Sequence, residues 1–158
     1  MFSPRSAVLL VCLMLSAALP ARAAEPEIPF REDSGLTKAE YFLSAGKFSA
    51  ALDTVGEVLE RHPQNADAYT YRGYAYYRLG DVANAAKSFR TALLLNPAHL
   101  GANKYLGDMY LEAGDVARAL EQLQVIRMTC GLTDCAELRA LEGEIDQRRR
   151  SGPGGKEK

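Results

Sequence analysis

The chain has 158 residues, of which 47% are hydrophobic and 25% charged, with 19 Lys and Arg against 20 Asp and Glu. At roughly 100–200 residues per domain, this length allows one domain. The acidic and basic residues nearly balance, and the sequence has no cluster of basic residues of the kind that binds nucleic acid. The hydrophobic fraction is too high for an intrinsically disordered chain, and three cysteines are too few for a disulfide-rich scaffold.

The first 23 residues have the pattern of a secretory signal peptide. A positively charged start at residues 1–5 precedes an apolar run over residues 7–19. Pro20 ends the run, and Ala-Arg-Ala at 21–23 is the small-x-small pattern that signal peptidase accepts. Because a spanning helix needs about 20 apolar residues, cleavage near Ala23 is favoured over a retained anchor. We expect a periplasmic or secreted protein without a stable membrane span, in which residues 24–33 form a linker.

A period of 34 residues organises the rest of the chain. When residues 66–99 are aligned with residues 100–133, the following pairs match: Gly73 with Gly107, Tyr76 with Tyr110, Gly80 with Gly114, Asp81 with Asp115, and Ala85 with Ala119. One further step back reaches Gly46, Ala51 and Pro63. The chain therefore contains three copies of one unit.

Each copy predicts a pair of helices. In the middle copy, apolar and small residues recur at spacings of three and four, which is one face of a helix; they are Tyr69, Gly73, Tyr76, Ala85, Phe89, Ala92 and Leu93. Gly80 is placed to end the first helix, Asp81 to cap the second, and Pro97 to stop it. Gly73 and Gly107 would let neighbouring helices approach closely. Since one pair cannot bury its apolar face alone, the pairs stack and the fold is all-α.

This pattern resembles the tetratricopeptide repeat (TPR), a 34-residue helix–turn–helix unit. The residues that carry the resemblance in the middle copy are Tyr69, Gly73, Tyr76, Gly80, Ala85, Phe89, Ala92 and Pro97. The resemblance extends over residues 34–133, with an eroded first copy and Gly131 in place of proline in the third. It implies a right-handed α-solenoid of about three helix pairs, in which the first helices line a concave groove.

The C-terminal segment predicts a capping helix over residues 135–149, which completes a TPR domain at 34–149. Asp-Cys-Ala-Glu at 134–137 has capping-box spacing, and Leu138, Leu141 and Ile145 form an apolar stripe. The opposite face is polar, as the end of a repeat array requires. Residues 150–158 are expected to form a flexible polar tail.

Cys130 and Cys135 flank the turn into the capping helix. Cleavage of the leader removes Cys12 and leaves an even pair in an exported chain, which favours a structural disulfide. A metal or redox site is the alternative, but two thiols provide too few metal ligands and the spacing is not C-x-x-C. We expect no metal ion and no other cofactor.

The sequence contains no recognisable catalytic constellation. A nucleophile elbow, a zinc-protease helix and a phosphate-binding loop are all absent. His62 and His99 stand beside proline turns, where we expect them to face solvent. The chain is therefore predicted not to be an enzyme.

The candidate binding residues lie in a tyrosine-rich helix. Five of the eight tyrosines fall between positions 69 and 77, and at 100° per residue Tyr74 lies far from the face of Tyr76. The resemblance places Thr70, Tyr74, Tyr77 and Arg78 in the groove, with Lys104, Asp108, Leu111 and Glu112 at the corresponding positions of the third copy and Leu36, Glu40, Leu43 and Ser44 in the first. Aromatic and Arg side chains are common at recognition hot spots. A partly buried aromatic seam between helices is the alternative.

These observations predict a non-catalytic protein-interaction module of the cell envelope. It would bind an extended or helical segment of another envelope protein in the groove, as an adaptor or assembly factor. The alternatives are an accessory subunit of an envelope enzyme complex and a self-associating structural module. Family members that clamp the acidic C-terminus of cytosolic heat-shock chaperones use Lys, Asn and Arg at positions held here by Leu36, Glu40, Tyr71, Gly101 and Tyr105. The resemblance therefore argues against that partner.

Overall fold

Seven α-helices follow one another along residues 34–131 and 135–151, the two ranges that this computed structural model describes. They are α1 (Ser34–Ser44), α2 (Phe48–Arg61), α3 (Ala66–Arg78), α4 (Val82–Leu95), α5 (Leu100–Glu112), α6 (Val116–Cys130) and α7 (Ala136–Ser151). These ranges contain no strand, which confirms the all-α fold. The predicted signal peptide, the linker at 24–33, Asp134 of the capping box and residues 152–158 lie outside the described residues.

The helices form a stack of three pairs, as the repeat predicts. α1 packs on α2, α3 on α4 and α5 on α6, and α7 covers the last pair. Each first helix also contacts the next first helix along the stack, whereas α2, α4 and α6 do not contact one another over the described ranges. Because successive first helices lie closer together than successive second helices, α1, α3 and α5 form the inner side of a curved array. None of the described helices is both long and apolar enough to cross a lipid bilayer.

The turns inside the pairs form where the sequence places glycine and aspartate. Gly80 and Gly114 adopt φ values of +81° and +77°, a left-handed conformation that glycine reaches without steric cost. Asp81 accepts a hydrogen bond from the backbone N–H of Asn84 at 3.1 Å, which caps α4. Asp115 caps α6 in the same way. The predicted turn chemistry is confirmed at both positions.

Two glycines allow the close contacts that the sequence predicts. A Cβ atom on Gly73 would lie 2.6 Å from Cε1 of Phe89, and one on Gly107 would lie 2.7 Å from Cδ2 of Leu141. Both distances are shorter than carbon atoms tolerate. α3 therefore approaches α4, and α5 approaches α7, only because these positions lack side chains.

The capping helix is longer than predicted. Leu141 and Ile145 are buried as expected, but α7 ends at Ser151 rather than at residue 149. Arg148 lies near this end, and its Nη2 donates to the backbone oxygens of Leu111 at 2.8 Å and Glu112 at 3.3 Å. These carbonyls belong to the last turn of α5, where the oxygen of Leu111 also accepts from the backbone N–H of Gly114 at 3.0 Å, so Arg148 is an additional partner. Arg148 thus caps a neighbouring helix, and α7 includes residues 150 and 151.

The expectation that His99 faces solvent is wrong. Its Nδ1 accepts a hydrogen bond from the backbone N–H of Ala102 at 3.2 Å and so caps α5. Its Nε2 lies 2.8 Å from Oδ1 of Asp67, and only 14% of the side chain is exposed. The hydrogen bond to His99 is the main reason that the pKa of Asp67 falls below its usual value. His99 therefore joins the third pair to the second, whereas His62 is exposed.

The sulfur atoms of Cys130 and Cys135 lie at bonding distance, with Cα atoms 6.1 Å apart. That the exported protein carries this disulfide stays a prediction. We expect non-reducing digestion and mass spectrometry to find the two cysteines in one cross-linked species. Closing so short a loop is worth about 2 kcal/mol, so a Cys130→Ser/Cys135→Ser variant should lose about that much free energy of unfolding. Two free thiols in the exported protein would contradict the prediction.

Candidate functional site

Two adjacent hollows lie on the surface formed by the first helices. The first, which we call the aromatic cleft, has a volume of about 200 Å³ between α1, α3 and α5, and is lined by Glu40, Leu43, Ser44, Tyr71, Tyr74 and Tyr105. The second, which we call the acidic pocket, has a volume of about 380 Å³ between α3, α5 and α7; its lining includes Tyr77, Asp108, Leu111, Glu112, Glu144 and Arg148. Both hollows open on the side where a TPR groove is expected.

A continuous row of rings forms the wall of the aromatic cleft. The ring of Tyr74 meets Phe48 edge-on at 6.4 Å and Tyr105 at 4.8 Å between centroids. Tyr105 in turn stacks on the fully buried Phe89 at 5.6 Å. The aromatic seam that the sequence leaves open as an alternative is therefore present. Tyr74 and Tyr105 are only partly buried, so the same seam offers ring surface to the cleft.

Arg78 covers one end of this seam. Its guanidinium carbon lies 4.7 Å from the ring centre of Phe48 and 5.6 Å from that of Tyr74. Its Nη1 donates a hydrogen bond to Oη of Tyr74 at 2.7 Å. Cation–π contacts of this kind hold a ring in place while leaving the charge in water. Arg78 thus positions Tyr74 and remains exposed beside the cleft.

A network of charges surrounds the acidic pocket. Nζ of Lys104 lies 2.6 Å from Oδ2 of Asp108 and 3.3 Å from Oε1 of Glu144, which links α5 to α7. Burial lowers the pKa of Lys104, but the hydrogen bond and charge of Asp108, with Glu144, raise it on balance. On α3, Oη of Tyr77 donates to Oε1 of Glu112. Burial, and then this bond, raise the pKa of Tyr77, so its hydroxyl stays protonated.

Asp108 is the most unusual group in the pocket. It is 7% exposed, and its Oδ1 is buried with no hydrogen-bond partner among the residues that the structure describes. Burial raises the pKa of its carboxyl to about 7, and Glu144 adds to the rise, while the hydrogen bond and charge of Lys104 oppose it. A buried acceptor without a donor is costly, which makes this oxygen a place where a ligand can gain binding energy.

Most of the sequence-predicted contact residues border these hollows. Glu40, Leu43 and Tyr74 line the aromatic cleft, whereas Tyr77, Asp108, Leu111 and Glu112 line the acidic pocket. Leu43 and Leu111 are 9% and 5% exposed, so each offers a partner little area. Lys104 lies beside the pocket, and its charge is engaged by two carboxylates.

Thr70 must be removed from the set of partner contacts. It is 3% exposed, because it lies against His99 and Gly101 of the next pair. Its Oγ1 donates to the backbone oxygen of Ala66 at 2.9 Å. Thr70 is therefore a packing residue between repeats, and a partner in the groove cannot reach it.

Six residues at the hollows were not among the predicted contacts: Tyr71, Tyr105, Glu144, Gln147, Arg148 and Ser151. Tyr71 and Tyr105 stand 34 residues apart, so they occupy one slot of the repeat, and this recurrence is a signal that identifies them from sequence. Glu144 and Arg148 have no such signal, because α7 has no counterpart in the earlier copies. Within residues 34–131 and 135–151, no group of three or more His, Cys, Asp or Glu side chains is arranged to hold a metal ion.

Comparison with known protein families identifies the family to which these helical repeats belong. The tetratricopeptide repeat model matches residues 36–93 and 76–128, which together span more than half of the chain. The chain belongs to the tetratricopeptide repeat family. Rice DnaJ protein P58IPK homolog B is 34% identical over 64 residues, which are 40% of this chain but 14% of that protein.

Solved TPR domains have the same fold. The TPR2B domain of yeast Sti1, in a complex with pHsp70, superposes with a TM-score of 0.66 at 17% identity, over 75% of this chain and 96% of that one. The first TPR of Spaghetti (RPAP3), bound to the HSP90 peptide SRMEEVD, gives 0.62 at 21% identity, over 75% and 92%. These likenesses show that the chain has the fold of a TPR domain.

Proposed function

We propose that this protein is a non-catalytic adaptor or assembly factor of the cell envelope, which binds an extended or helical segment of another exported protein along its inner surface. The aromatic cleft carries the proposal, because Tyr74 and Tyr105 present ring surface there that no described helix covers. The leader pattern of residues 1–23 supports the envelope location.

The similar TPR domains support a peptide ligand but not the same one. Two of them are bound to chaperone ligands, and the HSP90 peptide SRMEEVD is acidic. This chain holds Glu40, Tyr71 and Tyr105 at groove positions where chaperone clamps carry basic or amide side chains. Rings and a carboxylate favour apolar and basic side chains over an acidic C-terminus. The partner is therefore of another chemical class.

Site-specific photocrosslinking of the full chain in a Gram-negative host tests where the partner binds. A photoreactive phenylalanine replaces Ser44, at the cleft, or Leu94, which is 83% exposed on α4 of the outer side. We expect position 44, and not position 94, to crosslink to a segment of another envelope protein. Crosslinks from position 94 alone would place the partner elsewhere, and crosslinks from position 44 to a second copy of the chain would replace the proposal by self-association.

Substitution of Tyr74 measures what the cleft contributes to affinity. A hot-spot aromatic is worth about 2 kcal/mol or more, so Tyr74→Ala should weaken binding of the crosslinked segment by about 30-fold in a calorimetric titration. Tyr41→Ala is the matched control, since Tyr41 is 62% exposed on α1 and does not line the cleft. Equal affinity of the two variants would remove Tyr74 from the interface.

A further inference from the structure

We propose that the acidic pocket binds the side chain of a lysine or arginine of the partner segment, next to an apolar side chain held in the aromatic cleft. The inference rests on the proposed function for the segment itself. The pocket lies between α3, α5 and α7, and its volume of about 380 Å³ far exceeds the roughly 30 Å³ that one water occupies in the liquid. A long side chain therefore has room to enter.

The unpartnered oxygen of Asp108 indicates what the ligand supplies. Oδ2 of this carboxylate accepts from Lys104, whereas Oδ1 is buried and has no donor over the described ranges. Asp108 is more than nine-tenths buried, yet it lines the pocket. Because Oδ1 has almost no accessible surface, a donor in the pocket reaches it only after the Asp108 side chain shifts, and a charged donor would then satisfy it more strongly than a neutral one.

When Asp108 is ionised, above its pKa of about 7, the charges around the pocket leave one negative charge uncompensated. The carboxylates of Asp108, Glu112 and Glu144 face two cations, Lys104 and Arg148. Lys104 is held between two of these carboxylates, and Arg148 donates to the backbone carbonyls at the end of α5. Neither cation donates a hydrogen bond to Oδ1 of Asp108. A third cation would balance the site.

An ammonium or guanidinium group fits better than a metal ion. No three His, Cys, Asp or Glu side chains of the described chain are placed to coordinate a metal. Lys and Arg bind carboxylates through hydrogen bonds instead, and their long hydrocarbon stems can follow the ring of Tyr77 into the pocket. A basic residue of a peptide is therefore the ligand that the chemistry of this pocket selects.

The spacing of the two hollows predicts the spacing of the motif. The cleft lies between α1, α3 and α5, and the pocket lies one helix further along the stack. Packed helices are about 8–10 Å apart, which corresponds to about three residues of a segment in the polyproline II conformation, where every third side chain lies on the same face. The expected motif is an apolar residue and a basic residue separated by two others, in either chain direction.

Peptide titrations followed by NMR of the full chain test this inference. The probes are Gly-Phe-Gly-Gly-Lys-Gly, its reversed sequence, and the same two peptides with norleucine, which keeps the hydrocarbon stem of lysine but has no ammonium. At about pH 8 we expect one lysine peptide to bind at least about tenfold more tightly than its norleucine analogue, and to shift the amide signals of Asp108, Glu112 and Glu144. Equal binding of the lysine and norleucine peptides would overturn the proposal.

Variants assign the preference to the pocket. Asp108→Asn keeps the shape and removes the charge, so it should abolish the preference for lysine, whereas Asp53→Asn on the exposed surface of α2 should leave it unchanged. Glu144→Gln, whose wild-type side chain is 44% exposed, provides a second variant that disturbs packing less and should reduce the preference. Retention of the full preference by both pocket variants would also overturn the inference.

The pH dependence of binding separates a charge effect from shape. The titratable and charged groups around Asp108 are Tyr77 from α3, Lys104, Tyr105 and Glu112 within α5, and Glu144 and Arg148 from α7. Because the pKa of the Asp108 carboxyl is about 7, a proton occupies it at low pH and competes with the ligand. The lysine preference should therefore fall about tenfold from about pH 8 to about pH 6, and a constant preference would contradict the role of Asp108.

The outcomes distinguish this inference from the proposed function. If lysine and norleucine peptides bind equally and shift Tyr74 and Tyr105, the cleft binds peptides and the pocket has no preference for cations. If the lysine peptide shifts Asp108 and Glu144 alone, the cation site stands and the cleft is not a peptide site. Absence of binding by every probe would overturn the inference.

Discussion

Replacing Phe89 by alanine is expected to lower the free energy of unfolding by about 3–5 kcal/mol, the usual cost of emptying a large aromatic site. The side chain is fully buried and stacks on Tyr105 at 5.6 Å. The ring also lies directly against Gly73 of α3, where an added Cβ atom would be 2.6 Å from Cε1 of Phe89. Because the ring is packed between helices, its removal creates a cavity that small shifts of the surrounding helices cannot fill. Urea unfolding followed by circular dichroism measures the loss.

Leu94→Ala is the matched control, because Leu94 lies on the same helix and is 83% exposed. Its substitution should change the free energy of unfolding by less than about 0.5 kcal/mol. Similar losses for the two variants would mean that Phe89 is not the centre of the second repeat. Phe89→Ala should also weaken peptide binding, since Tyr105 loses the ring that supports it beside the cleft.

The repeat could be predicted because its signals are local. Gly80 and Gly114 mark turns that need a left-handed residue, and Asp81 follows where the next helix begins. Gly73 and Gly107 recur at one slot, and in both cases the slot faces a large side chain of another helix. Such features depend on a few neighbouring residues and a fixed period. The glycine turn recurs in all three copies, whereas the aspartate cap and the close-contact glycine recur only in the second and third, since the first copy has Lys47 and Ala39 there.

The contacts of the site depend on distant helices, and the sequence predicted them less well. Thr70 appeared accessible on a helix drawn alone, but His99 and Gly101 of the following pair cover it. Asp108 is buried because α7 packs over α5 and brings Glu144 to it. The apolar stripe of α7 is out of step with the 34-residue period. The position of its charged residues therefore could not be transferred from the earlier copies.

Arg148 shows the same limit. In the sequence, Arg148 belongs to a run of three arginines at the end of a predicted helix, where the helix dipole favours positive charge. In the structure its guanidinium leaves its own helix and binds the last carbonyls of α5, across 37 residues of sequence. Only the packing of α7 on α5 reveals this contact. The contact also fixes the helix that carries Glu144 at the edge of the acidic pocket.

Gly73→Ala is expected to destabilise the protein by about 1–3 kcal/mol, although alanine favours helices by about 1 kcal/mol over glycine. The added Cβ would lie 2.6 and 2.7 Å from two ring carbons of Phe89. This ring cannot withdraw, since it stacks on Tyr105. Gly56→Ala on α2 is the control, because nothing lies within 4 Å of a Cβ atom there, and it should stabilise the protein by up to about 1 kcal/mol.

Combining Gly73→Ala with Phe89→Ala tests whether the two positions act on each other. With the ring absent, the new methyl group enters vacant space, so Gly73→Ala should change from destabilising to neutral or stabilising. The expected coupling energy is about 1–3 kcal/mol, within the range for residues in direct contact. If Gly73→Ala costs the same in both backgrounds, its effect comes from another neighbour. The contact between the Phe89 ring and Gly73 would then not be what requires glycine at this position.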